Sequence, residues 1–211
     1  MLQARHGWLM VRCDMNDDTP KAPASKHYLL VGVVPLIFFG LHTAYHVGKG
    51  DPENMLWGCH LSNLLIGVGL LTSRPAVLAV GLLWLSVGVP LWIGFLIGTP
   101  DEFSITSMLT HVGGAVVGIW AVCRMNWPRG TWWKAWLVIP LLQLVCRFTT
   151  PPAANVNISH EVWKGWEKTF PSYPVYLILL LGITAVIFAV VEQGFLRLKF
   201  LQTPNESENE D

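Results

Sequence analysis

Six apolar stretches, each close to the length a helix needs to cross the hydrocarbon of a bilayer, constrain this chain more than any other feature. They run over 28–47, 55–72, 75–97, 104–123, 132–148 and 173–196, against the ~20 mostly apolar residues that a crossing requires. The segments between them (GKGDPEN, SRP, GTPDEF, RMNWPRG and TTPPAANVNISHEVWKGWEKTFPS) are rich in Gly, Pro and charge, the chemistry of turns. Hydrocarbon offers no partner to a backbone N–H or C=O, so a chain crossing it this way must close its hydrogen bonds within helices. The expected fold is therefore all-α, a polytopic membrane bundle of six transmembrane helices over 28–198. A polar N-terminal tail (1–27) and an acidic C-terminal tail (199–211) flank it.

Composition agrees with that reading. Hydrophobic residues make up 52% and charged residues 13%, with mean hydropathy +0.44, where a soluble domain carries about 25% charged residues. The formal net charge is zero, so no global field favours a nucleic acid, and nucleic-acid binding is set aside. The first 27 residues hold Arg5, Arg12, Asp14, Asp17, Asp18, Lys21 and Lys26 without a continuous apolar run, so no cleavable leader is expected. Cys13, Cys59, Cys123 and Cys146 are far apart and show no paired spacing, which argues against a disulfide framework.

Placing the N-terminus inside puts Arg5, Arg12, Lys21, Lys26, Arg74, Arg124, Arg129, Lys134, Arg197 and Lys199 on that side. Lys49, Arg147, Lys164 and Lys168 are left outside. The imbalance predicts both termini on the cytoplasmic side of an integral membrane protein, with a bacterial cell membrane as the expected setting. Membrane lipid is the expected partner, and oligomeric state is not legible. Pro35, Pro90 and Pro140 fall inside expected spans, where each removes a backbone hydrogen bond. Gly67 and Gly69, with Gly113, Gly114 and Gly118, offer small surfaces for close helix approach.

The alternation of spans gathers polar residues toward one membrane face. His42 and His46 lie near the outer end of the first span and, four residues apart, share a helix face. Cys59, His60 and Asn63 fall in the first turns of the second span, and His111 lies about 10 Å into the fourth at 1.5 Å per residue. Gln143 and Arg147 end the fifth, and the loop beyond brings Asn155, Asn157, His160 and Glu161. Ionisable groups are costly in hydrocarbon, so such a basin is by default a functional site. Cys59, in the first turn of a helix beside an imidazole, sits where a nucleophilic thiolate is favoured. Cys123 and Cys146 read as small hydrophobic residues.

The run WGCHLSNLLIGVGLLTSRP, then SMLTHVGGAVVG in a later helix, then PPAANVN before FPSYPVY and a final span, resembles the YwaF-like family of six-helix integral membrane proteins. That family includes a vertebrate cysteine-dependent acyltransferase that makes ether phospholipids. The resemblance covers roughly residues 57–196 and implies a catalytic pair of a cysteine in an early helix and a histidine in a later one, here Cys59 and His111. It also implies that the stretch bearing Asn155 and Asn157 helps to close the site. Bacterial relatives do not all keep the cysteine.

On this reading Cys59 attacks a glycerolipid ester and His111 acts as base and then acid. Asn63, Asn155 or Asn157 donates to the oxyanion, Arg147 holds a lipid phosphate, and Gln143 lines the substrate side. No cofactor is required. The alternative is a metal-ion or haem protein with His42, His46, His60 and His160 as ligands, since imidazole suits copper, zinc and haem iron. A third reading, a non-catalytic assembly component, leaves the polar groups only satisfying one another. The loop 149–172, with Glu161, Trp163 and Trp166, is expected to lie amphipathically over the basin.

Overall fold

The computed structural model describes the backbone of residues 26–125 and 127–200; Cys13 and nearly all of both tails lie outside the described residues. Among these residues the chain is all-helical. Six long helices follow in order: α1 Lys26–Lys49, α2 Gly58–Leu71, α3 Pro75–Gly98, α4 Ile105–Arg124, α5 Thr131–Thr149 and α6 Tyr173–Phe200. Short 3₁₀ turns at Pro52–Leu56, Pro100–Glu102, Pro152–Ala154 and Val156–Ile158 fill three of the connections.

Four of the six, α1, α3, α4 and α6, are long and apolar enough to cross a membrane. Helix α2 has 14 residues, about 21 Å at 1.5 Å per residue, which is short of the hydrocarbon thickness of about 30 Å. It begins three residues after the expected start because Pro52 opens a 3₁₀ turn that takes up Met55 and Leu56. Helix α5 has 19 residues and carries Lys134 and Arg147.

Helix α2 runs through the centre of the bundle. A Cβ built on Gly67 would lie 2.9 Å from the Gly32 carbonyl oxygen of α1, and one built on Gly81 of α3 would lie 2.7 Å from the Ser62 carbonyl oxygen. The backbones therefore meet at distances that only glycine permits. Ile66 and Leu70 of α2 pack with Leu78, Leu82, Leu83 and Leu85 of α3 and Phe188 of α6 in the main core. The outer surface is apolar as well: Leu30, Ile97, Phe148 and Ile178 are 70%, 81%, 80% and 70% exposed. An apolar exterior of this extent is compatible with a lipid surround.

Two side chains, the buried Glu192 and the half-buried Asn157, cap helices from a distance. Glu192 of α6, 2% exposed, accepts from the backbone N–H groups of Gly130 and Trp132 at 2.7 and 2.8 Å, closing the N-terminus of α5. Asn157 does the same for α2 at the other end of the bundle. Its Oδ1 accepts from Gly58 N at 2.8 Å, and its Nδ2 donates to the Leu56 carbonyl at 2.8 Å and to Cys146 Sγ at 3.2 Å.

Candidate functional site

Helices α1, α2 and α4 bring four histidines and one cysteine together at the α2 N-terminal end of the bundle. The ring of His42 meets those of His46 and His60 at centroid distances of 4.6 and 4.2 Å, and His60 meets His111 at 5.7 Å. His42, His60 and His111 are buried. One donor atom from each of His42, His46 and His60 lies within 4.8 Å of the other two, and the same holds for Cys59, His60 and His111. Among the described residues these two groups, joined at His60, are the candidate metal-ligating sets.

Each imidazole is oriented through Nδ1. Nδ1 of His60 donates to the Asn54 carbonyl at 2.8 Å, and Nδ1 of His111 donates to the Ser107 carbonyl at 2.9 Å. Nδ1 of His46 faces the Asp51 carboxylate at 2.9 Å, and Nδ1 of His42 faces the Thr106 hydroxyl at 2.9 Å. A carbonyl or carboxylate oxygen only accepts, so for His46, His60 and His111 the proton sits on Nδ1 and Nε2 keeps a lone pair. Burial pushes the Asp51 carboxyl up, but hydrogen bonds from His46 and Asn54 and the Lys49 charge outweigh it and hold Asp51 below its ordinary value.

Helix α4 supplies His111 through an irregular turn. Its backbone is α-helical over Ile105–Met108, π-helical over Leu109–Gly113 and α-helical again from Gly114. The π turn shifts the hydrogen-bond register, and the Thr110 carbonyl accepts from Asn63 Nδ2 at 2.8 Å. The indole of Trp92 from α3 stacks on His111 at 4.9 Å with an interplanar angle of 8°. Gly88 faces Cys59, whose Cβ would lie 2.7 Å from a Cβ at that position.

The remaining expected residues form a polar lattice beside this centre. Asn63, fully buried, donates to the Thr110 and Cys59 carbonyls. Gln143 donates to the Asn157 carbonyl at 3.0 Å and Arg147 to the Ser159 carbonyl at 2.9 Å. Asn155 accepts from the backbone N–H groups of His160 and Glu161 and donates to the Glu161 carbonyl. In the structure these donors are engaged with the protein itself: Asn63 ties α2 to α4, Gln143 and Arg147 hold the 149–172 loop against α5, and Asn155 braces that loop internally. His160 stands apart from the other four histidines, its Nε2 3.5 Å from Thr150 Oγ1. The segment around Glu161, Trp163 and Trp166 forms turns rather than a helix.

Asp51, Asn54, Thr106, Ser107 and Trp92 were not singled out from the sequence, yet they orient the rings. Asp51 alone left a trace there, an acid five residues after His46 in a tight turn. No family model, curated protein or solved structure matches the chain.

Proposed function

We propose that the chain is a six-span integral membrane protein that transfers or hydrolyses an acyl group of a membrane lipid, with Cys59 as nucleophile and His111 as base. Its support is one observation: the Cys59 sulfur lies within 4.8 Å of a ring nitrogen of His111, a separation that must close to about 3 Å for direct proton transfer once substrate is bound. The two residues lie 52 positions apart in the sequence, so their meeting is not a local accident of one helix. The apolar exterior supplies the surroundings for acyl chains, and α2, central and shielded by its neighbours, crosses with the turn that precedes it. The charge imbalance places both termini on the cytoplasmic side.

The chemistry follows from the ring orientation. Nδ1 of His111 is held by the Ser107 carbonyl, which leaves the other ring nitrogen to accept the thiol proton as sulfur adds to the ester carbonyl carbon. Collapse of the tetrahedral adduct breaks the C–O bond, and the departing alkoxide takes the proton from His111, leaving a thioester on Cys59. Water or an acceptor hydroxyl then adds to the thioester, giving its proton to His111, and the thiolate departs and is reprotonated.

Purified protein in vesicles of phospholipid with a labelled acyl chain tests this. The expected result is label on Cys59, removed by hydroxylamine and absent in Cys59→Ala. Unchanged turnover in Cys59→Ala, or no label in the parent chain, contradicts it.

A further inference from the structure

We propose that His42, His46 and His60 form a three-imidazole site for a divalent transition-metal ion of the zinc type, independent of the acyl-transfer reading because it uses neither of that reading's reacting groups. Nε2 of His42 lies 3.0 Å from Nε2 of His60 and 3.2 Å from Nε2 of His46. The outward Nδ1 of His60 is committed to a carbonyl and that of His46 to a carboxylate, so both inward nitrogens present lone pairs when neutral. One hydrogen on His42 Nε2 serves one of them well and leaves the other facing it without a proton. If His42 instead donates from Nδ1 to Thr106, three lone pairs converge with no hydrogen between them.

A cation resolves all three at once. Zinc–imidazole bonds of 2.0–2.1 Å in a tetrahedral arrangement place neighbouring ligand nitrogens about 3.3 Å apart, close to the two spacings from His42, while the His46–His60 pair lies within 4.8 Å. The outer partners match as well. Ligating histidines characteristically donate their second N–H to a carboxylate or a backbone carbonyl, and here Asp51 and the Asn54 carbonyl take those positions. Asn54 Nδ2 further fixes Asp51 through Oδ2 at 3.0 Å. Pure imidazole donors select zinc, copper(II), nickel or cobalt over calcium or magnesium. Three protein ligands leave a fourth position open.

The second set, Cys59, His60 and His111, shares His60. With Nδ1 tied to Asn54, His60 has one nitrogen to give, so the two sets cannot both use it for separate ions. The all-histidine set, with three nitrogen donors, is the one that takes the ion.

The test uses the full chain, purified in detergent without chelator, stripped, and titrated with zinc or cobalt(II). Elemental analysis is expected to give one ion per chain, and cobalt(II) to give the visible bands of a nitrogen-ligated, low-coordinate site. His46→Ala, at the less buried edge of the set, should lose at least 100-fold in affinity, and Asp51→Asn about 10–100-fold. Cys59→Ala and His160→Ala should bind as the parent does. No stoichiometric ion in the helical, monodisperse parent chain, full binding by His46→Ala, or loss of binding in Cys59→Ala would each overturn the proposal.

Discussion

The Asn157 side chain closes the N-terminus of the helix that carries Cys59: its Oδ1 accepts from Gly58 N at 2.8 Å from 99 residues further along the chain. An Asn at φ 53° is well suited to this place, because it tolerates the left-handed region better than most residues. Its amide therefore helps to set where the first turn of α2, and with it the thiol, stands.

Replacing it separates backbone from cap. Asn157→Ala loses both the left-handed tolerance and the three side-chain hydrogen bonds, and is expected to cost about 2–4 kcal/mol in detergent unfolding experiments. Asn157→Gly restores the backbone freedom and not the cap, so its loss should be smaller but still measurable. Equal stability of all three chains would remove Asn157 from the architecture of α2.

Gly88 offers a direct probe of the thiol position. A methyl there meets the Cys59 Cβ at 2.7 Å, and a nucleophile displaced by about 1 Å loses on the order of 100-fold in rate. Gly88→Ala should reduce acyl-label turnover by that order while costing about 1–3 kcal/mol in stability. Gly94→Ala, with open space at its Cβ, should change neither. Parent-like turnover in Gly88→Ala would argue that Cys59 is not the reacting group.

At the opposite end, Glu192 binds the first turn of α5 through two backbone N–H groups. Glu192→Ala leaves both donors without that partner and is expected to cost about 2–4 kcal/mol. Glu192→Gln keeps one acceptor oxygen and should cost less. Turnover per folded molecule should be unaffected in either, which distinguishes this carboxylate from the groups around Cys59.

The helices were readable because hydropathy over about 20 residues is a strong signal, and five of the six starts fall within two residues of those expected. Helix α2 is the exception. Met55 and Leu56 extend the apolar run, so composition hid the tight turn that Pro52 begins. The meeting of His42, His46, Cys59, His60 and His111 at one end followed from alternating directions along the chain. The identity of their hydrogen-bond partners did not, because carbonyls such as Asn54 and Ser107 exist at every position and only folding selects one. The π turn around His111 leaves no compositional mark either: it is a shift of hydrogen-bond register among residues that would suit an α-helix equally well. Asn157 was legible as a polar residue near the site but not as a cap, since the helix it closes lies 99 positions away.

The start of α2 and the first turns of α4 meet at one end of the bundle, and everything proposed for Cys59 and His111 depends on that meeting. In a chain bearing Cys13→Ala, Cys123→Ala and Cys146→Ala, the further change His111→Cys places a second thiol beside Cys59, and a short bifunctional thiol reagent should join the two in detergent and in vesicles. The account predicts a cross-linked 59–111 peptide by mass spectrometry and none when the second thiol is placed by Leu196→Cys at the far end. A helical, monodisperse protein that joins Cys59 to position 196 but not to position 111 would contradict it.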